Sequence, residues 1–182
     1  PVMLRTFVAL PRSCATTVAV PLGPLDPETM AARIAALKVA GSTRTPLGAT
    51  LHAVGEDLAD VKGRAIVVFV TDGQETCKGD PAAEIQRLID RGIDVQVNIV
   101  GFAIDDKKLT RDIARWAALG HGTAYDADNE DELAEALTLL LRAPFTVFDA
   151  QGLEVATGLV GGDPVPLPVG TVVVPGSTVL IG

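Results

Sequence analysis

A chain of 182 residues is long enough to close one full domain around a sizeable core, with a small appendage besides. Its 48% hydrophobic and 21% charged residues are those of a globular protein, and no run reaches the roughly 18 apolar residues that a membrane span needs. The formal net charge of -8 and the lack of any Lys/Arg cluster argue against nucleic acid and anionic membrane as partners, because both attract basic surfaces. Metal ions or cationic ligands fit the charge better.

Residues 2–10 form an apolar, β-rich run, and 16–20 a shorter one after a turn marked by Pro11, Arg12 and Ser13. Together they predict an antiparallel pair. Asp26 is placed to cap a helix that opens at Pro27, carries Met30, Ile34 and Leu37 at helical spacing, and stops by Gly41. A second helix follows Thr45-Pro46, with Leu47, Leu51, Val54 and Leu58 in one apolar stripe and Glu56, Asp57 and Asp60 on its polar face. Residues 65–70 are a near-continuous Ile/Val/Phe run, which predicts a central strand of a parallel sheet, buried on both faces.

Strand then alternates with helix: a helix over 81–91, a strand over 95–100, a helix over 107–119 stopped by Gly120 and Gly122, a short strand over 123–125, and a helix over 130–141. This alternation predicts a doubly wound, Rossmann-like α/β domain with a mostly parallel sheet over residues 1–142. From 143 to 182 the helical period disappears, and short β runs at 145–148, 154–159, 171–174 and 178–181 alternate with Gly and Pro. That tail reads as a small antiparallel β extension.

Two cysteines, Cys14 and Cys77, each follow a strand directed at one rim of the sheet, so a disulfide between them is geometrically open. It would brace the loop after residue 70 and would suit a periplasmic or extracellular setting. Two free thiols in a reducing cytoplasm are the alternative.

Ligands of open parallel sheets bind beyond the carboxyl ends of the strands. Two loops fall there: the hydroxyl-rich Gly41-Ser42-Thr43-Arg44-Thr45-Pro46-Leu47-Gly48, and Thr71-Asp72-Gly73-Gln74-Glu75-Thr76. Each has a plain structural reading beside the functional one. Asp72-Gly73 would serve as a strand-ending turn and Thr45 as a helix N-cap. Glu75 and Asp80 near Asp72 could act as acid and base, but neighbouring carboxylates on an acidic chain are more often a solvated rim. His52 and His121 read as surface or loop residues and Trp116 as core packing. The His/Cys spacings of zinc sites, the Gly-x-Ser-x-Gly elbow and the phosphate-binding loop are all missing, so the chain does not read as an enzyme.

Thr45-Pro46-Leu47 at a helix start, followed by Val67-Val68-Phe69-Val70-Thr71-Asp72-Gly73, resembles the second and third parts of the metal-ion-dependent adhesion site (MIDAS) of von Willebrand factor A domains. The resemblance covers residues 2–142 and includes Val100-Gly101-Phe102 and Gly120-His121-Gly122; Glu75-Thr76-Cys77 after Asp72-Gly73 is closest to bacterial members. It implies that Thr45 and Asp72 ligate Mg²⁺ or Mn²⁺, with Thr43, Gly73 and Glu75 on the ligand-binding rim. An acidic side chain of a protein ligand would complete the shell. Hard cations of this kind prefer oxygen, keep waters and take few protein carboxylates, which leaves such a position open.

The family's first motif, Asp-x-Ser-x-Ser at the end of its first strand, does not occur in this chain. Residues 2–10 match the family's second strand, so the chain is expected to begin one strand and one helix late, foremost as a fragment or processed chain, otherwise with the motif supplied by another polypeptide or lost in this member. Phe148-Asp149-Ala150-Gln151-Gly152 resembles the missing motif only in outline, since both serines are lacking. The leading expectation is therefore a metal-dependent adhesion or protein-interaction module, and the alternative a structural or assembly subunit with a degenerate site completed by a partner chain. A regulatory subunit of an ATPase or metal-chelatase follows from fold analogy alone.

Overall fold

The computed structural model describes residues 1–7, 12–38, 44–141, 144–148 and 151–159. The chain divides into two compact units, Pro1–Ala134 and Glu135–Gly182. In the first, β1 (Val2–Thr6) and β2 (Thr17–Gly23) form the expected antiparallel pair, followed by α1 (Pro27–Ala35), α2 (Leu47–Asp57), β3 (Ala65–Thr71), α3 (Pro81–Asp90), β4 (Val95–Phe102), α4 (Lys107–Leu119) and β5 (Ala124–Ala127). Helix α5 (Glu130–Leu140) runs across the division. In the second unit β6 (Pro144–Phe148) and β7 (Glu154–Leu159) form an antiparallel hairpin. The β runs expected at 171–174 and 178–181, and Asp149 and Ala150 of the motif-like segment, lie outside the described residues.

Strands β3, β4 and β5 make a parallel sheet in that order, with Thr71 of β3 paired to Gly101 of β4 and Ala127 of β5 paired to Phe102. All three carboxyl ends therefore come to one rim. The core packs the α2 stripe of Leu47, Leu51, Val54 and Leu58 together with Ile85 and Leu88 of α3, Leu109, Ile113 and Trp116 of α4, and Phe69, Val95, Val97 and Ile99 of the sheet. The helical and strand periodicities meet here, each element contributing its apolar stripe. Trp116 is a packing residue, as its spacing predicts.

The strand expected at the centre of the sheet is not the buried one. Among the described residues β3 has β4 as its single neighbour; only Phe69 and Thr71 are buried and Val70 is 37% exposed. Strand β4, flanked on both sides, is the buried strand, with Val97 and Val100 fully inaccessible. Composition misleads here: β4 carries Gln96 and Asn98 and is the less apolar strand, yet burial follows the number of paired neighbours.

Among the described residues the β1–β2 pair is fastened to the α/β body by side chains rather than by sheet hydrogen bonds. The Arg5 guanidinium forks onto Asp57 of α2, Nε and Nη2 each donating at 2.8 Å, and Nη1 donates to Thr16 Oγ1 at 2.6 Å. Both partners are largely shielded from solvent, the setting in which a bidentate pair contributes most. Phe7 stacks on Phe69, ring centroids 6.0 Å apart. Asp26 caps α1, accepting from the backbone N–H of Glu28 and Thr29 and from the Thr29 hydroxyl. None of the residues of α1 is buried, and Ile34 is 52% exposed.

Candidate metal site on the sheet rim

The rim site begins at the end of β3. Thr71 is 2% exposed, and its hydroxyl donates to the Gly73 carbonyl at 3.0 Å and accepts from the Gly73 N–H at 3.3 Å. This local turn leaves Asp72 exposed at its apex. Among the described residues the Asp72 carboxylate has neither a hydrogen bond nor an ion pair.

The second side of the site is the entry to α2. The N-cap position is held by Pro46, which offers no side-chain cap, so Thr45 stands outside the helix and does not cap it. The N-cap reading of Thr45 is thereby corrected, for a geometric reason: Pro46 has already turned out of helical conformation, with ψ of 64°. Like Asp72, the Thr45 hydroxyl has no hydrogen-bond partner among the described residues. The two loops meet here, since a Cβ on Gly73 would lie 3.8 Å from Thr45 Oγ1.

What joins the loops is the segment after Gly73. The Thr76 hydroxyl accepts from Thr45 N–H at 2.6 Å, and Thr76 N–H donates to the Thr45 carbonyl at 3.0 Å. Glu75 Oε2 accepts from Gly48 N–H at 2.8 Å, satisfying one of the open amides at the start of α2 that Pro46 leaves uncapped. The other oxygen, Oε1, accepts from Cys77 N–H. The two chains pass so close that a Cβ on Gly48 would come within 2.8 Å of both Asp80 N and Gly79 Cα. Only glycine admits that approach.

Cys77 is bonded to Cys14, with Cα atoms 5.8 Å apart, and no free cysteine remains. The disulfide expectation is met and the free-thiol alternative is set aside. Asp80 caps α3, accepting from Ala83 N–H at 3.1 Å, which accounts for a residue otherwise open to an acid or base role. His52 lies on the surface against Glu84 at 3.1 Å, and His121 is exposed with φ of 57° beside its two glycines.

Thr43 lies outside the described residues. Of the remaining rim residues, Thr45, Asp72, Gly73 and Glu75 come together on apposed loops. Thr71, Thr76 and Gly79 belong to the same structure and were not singled out as site residues by sequence reasoning. Thr71 and Thr76 had a signal, as parts of Thr71-Asp72-Gly73 and Glu75-Thr76-Cys77; Gly79 depends on which backbones cross. Gln74 adds a link to the next rim loop by donating to Asp106. That carboxylate caps α4, and its pKa is held below the ordinary range first by the backbone amides of Lys108 and Leu109 and then by Gln74.

A divalent cation is compatible with this donor set in kind: two oxygen donors, neutral and anionic, both without partners among the described residues and on adjoining loops. Among the described residues no cluster of three His, Cys, Asp or Glu side chains forms a metal cage. Thr45 and Asp72 alone would supply two protein oxygens to such an ion.

Residues 14–138 match the family model described as the von Willebrand factor type A domain. Among curated proteins, the uncharacterized protein YwmD of Bacillus subtilis (strain 168) is 42% identical over 77 residues, covering 42% of this chain and 34% of YwmD. The match thus spans about a third of that relative's length. Proximal thread matrix protein 1 from the mussel byssus is similar in structure, with a TM-score of 0.55 and 21% identity over 72% of this chain and 35% of that one. A second structure of that protein, with a zinc-occupied MIDAS motif, has a TM-score of 0.52 and 20% identity, covering 74% and 36% of the two chains. An aerotolerance-related membrane protein from Bacteroides fragilis gives a TM-score of 0.50 and 17% identity over 69% and 73%. At these identities the structural likeness is one of fold.

Proposed function

We propose a function for this chain on the premise that it belongs to the von Willebrand factor type A domain family: a divalent-metal-dependent protein-binding or adhesion module that captures an acidic group of its ligand. Thr45 and Asp72 would hold Mg²⁺ or Mn²⁺ through oxygen. The observation that carries this reading is the pair of oxygens, without partners among the described residues, on two loops that are otherwise tied together by hydrogen bonds. The zinc-occupied MIDAS motif of the mussel protein is the precedent extended here to a rim of the same fold. A bound hard cation supplies a Lewis-acidic position at which a carboxylate of a protein ligand can replace water. The activity read here is capture rather than catalysis.

The test is calorimetric titration of the chain with Mn²⁺ and with Mg²⁺, with Asp72→Ala and Thr45→Val as comparisons. The wild type should bind, EDTA should reverse the binding, and each variant should weaken it by about tenfold or more. Binding that survives Asp72→Ala undiminished would overturn the assignment.

A second reading, an assembly subunit whose site is completed by a partner chain, is favoured by one observation. Among the described residues β3 is paired on one side only and exposes Val70. Unpaired strand edges accept strands. On this reading a partner slows amide exchange along β3; a bound partner that leaves β3 exchange unchanged rules it out.

We place the chain in an oxidising compartment, periplasmic or extracellular, on the strength of the Cys14–Cys77 bond. Thiol titration of the naturally produced protein under denaturing conditions should find none. No described helix is long and apolar enough to cross a membrane.

A further inference from the structure

We infer that Glu75 and Thr76 are positioning residues, which fix the Thr45 loop against the Asp72 loop and so set the spacing of the two oxygens on which the metal-binding reading rests. Glu75 is half-buried and carries no guanidinium or ammonium partner among the described residues. Instead both of its oxygens are taken by backbone amides, Oε2 by Gly48 of the α2 entry and Oε1 by Cys77 of its own loop. A carboxylate accepting two amides is a strong, directional bridge. It also meets the positive end of α2, to which an anion is attracted.

Thr76 adds a two-point lock. Its N–H donates to the Thr45 carbonyl at 3.0 Å while its hydroxyl accepts from Thr45 N–H at 2.6 Å. Both polar backbone groups of Thr45 are thus consumed by one residue of the opposite loop, and its own hydroxyl is left without a partner among the described residues. Cys77, the next residue, is anchored to Cys14. Three consecutive residues therefore each hold a different point, namely Gly48, Thr45 and the β1–β2 connection, while Asp72 is on the near side of the same loop. A carboxylate already engaged twice is poorly placed to be a further metal ligand, and its chemistry suits bridging. The consequence is that the metal-facing oxygens are preorganised by residues that touch neither metal nor ligand.

The experiment uses the full chain in four forms: wild type, Glu75→Ala, Thr76→Val and Thr76→Ser. Two readouts are taken on each: Mn²⁺ affinity, and NMR amide data for Thr45, Gly48, Gly73 and Cys77. In the wild type the Thr45, Gly48 and Cys77 amides should be protected from exchange. Thr76→Val should expose Thr45, shift the Gly73 amide and weaken Mn²⁺ binding about tenfold, while unfolding stays cooperative; Thr76→Ser, which keeps the hydroxyl, should restore all three. Glu75→Ala should do the same through Gly48 and Cys77. Unprotected Gly48 and Cys77 amides in the wild type, or variants that release Thr45 yet leave the Gly73 shift and Mn²⁺ affinity unchanged, would overturn the positioning role. A wild type that binds no Mn²⁺ would instead overturn the metal reading, and the amide data would still decide whether these residues set the loop placement.

Discussion

Two sets of side chains on the rim are built from the same kinds of residue and treated in opposite ways. In one, Thr71, Glu75 and Thr76 have their side-chain oxygens engaged by backbone groups. In the other, Thr45 on the facing loop and Asp72 next to Thr71, with the same chemistry, have side-chain oxygens with no partner among the described residues. Hydroxyls and carboxylates at loop positions ordinarily satisfy nearby backbone amides. Here the satisfied set forms a frame, and the unsatisfied pair stands free within it. Under the proposed reading the engaged groups build the rim and the free pair is what a ligand would meet, and mutation separates the two.

The largest effect should come from cutting the frame at its covalent point. The Cys14–Cys77 bond closes a sequence separation of 63 residues, for which loop entropy gives about 4 kcal/mol. The double variant Cys14→Ser/Cys77→Ser should lose about that much in urea unfolding, with a melting temperature lower by about 10 °C. A midpoint unchanged by the substitution, or by reductant, would mean that the hydrogen bonds alone hold the loops.

Next comes the backbone crossing. In Gly48→Ala the new methyl meets backbone at 2.8 Å on two atoms, neither of which is the end of a flexible side chain. Relief requires the α2 entry and the loop around Gly79 to separate, at a cost of about 1–3 kcal/mol. Because Glu75 bridges the same two segments, the Gly48 amide should lose exchange protection in this variant. A stability equal to wild type would show that the crossing has slack.

The free pair should behave oppositely. Without metal, Thr45→Val and Asp72→Asn should each shift stability by no more than about 0.5 kcal/mol, as substitutions that break no interaction do. A loss well above that would place these groups in the frame and remove the distinction between the two sets.

How much of this was legible beforehand follows the same division. The apolar stripe of α2, the cap at Asp26 ahead of Pro27 and the parallel alternation are local patterns, and the structure bears them out. The loops of Thr45 and Asp72 and the Cys14–Cys77 pair were singled out by their place on one rim of an open sheet, and the two residues themselves by the family resemblance; the structure brings the loops together and joins the cysteines. The burial of β3 was misjudged, since Ile and Val run equally through β3 and β4, and burial follows the number of paired neighbours, of which β3 has one among the described residues, a fact no local pattern records. The roles of Thr76 and Gly79 went unnoticed for a related reason. Their partners lie across a loop crossing, Thr76 with Thr45 over 31 residues and Gly79 against Gly48, and nothing in the local spacing announces which backbone they will face.

The smallest expected effect concerns the extension of the frame to the next loop, where Gln74 donates to Asp106 at the start of α4. The Asp106 pKa is lowered, chiefly because the ionised carboxylate accepts from the amides of Lys108 and then Leu109, with Gln74 and the Lys108 charge adding to the shift. A carboxylate whose folded pKa lies below its unfolded value stabilises the fold fully above the ordinary Asp value of about 3.9, and that contribution disappears as pH falls through the lowered folded value. Neutral pH should therefore leave this link intact. Acidification should loosen the α4 entry and its tie to the Asp72 loop together. Asp106→Asn retains an N-cap but cannot ionise, so the difference in melting temperature between wild type and variant should be flat from neutral pH down to the carboxylate range and then shrink. Asp26 and Asp112, whose pKa values are also lowered, titrate in both proteins and cancel in that difference. A gap that instead stays constant to the lowest pH would show that the charge on Asp106 contributes nothing to holding the two loops.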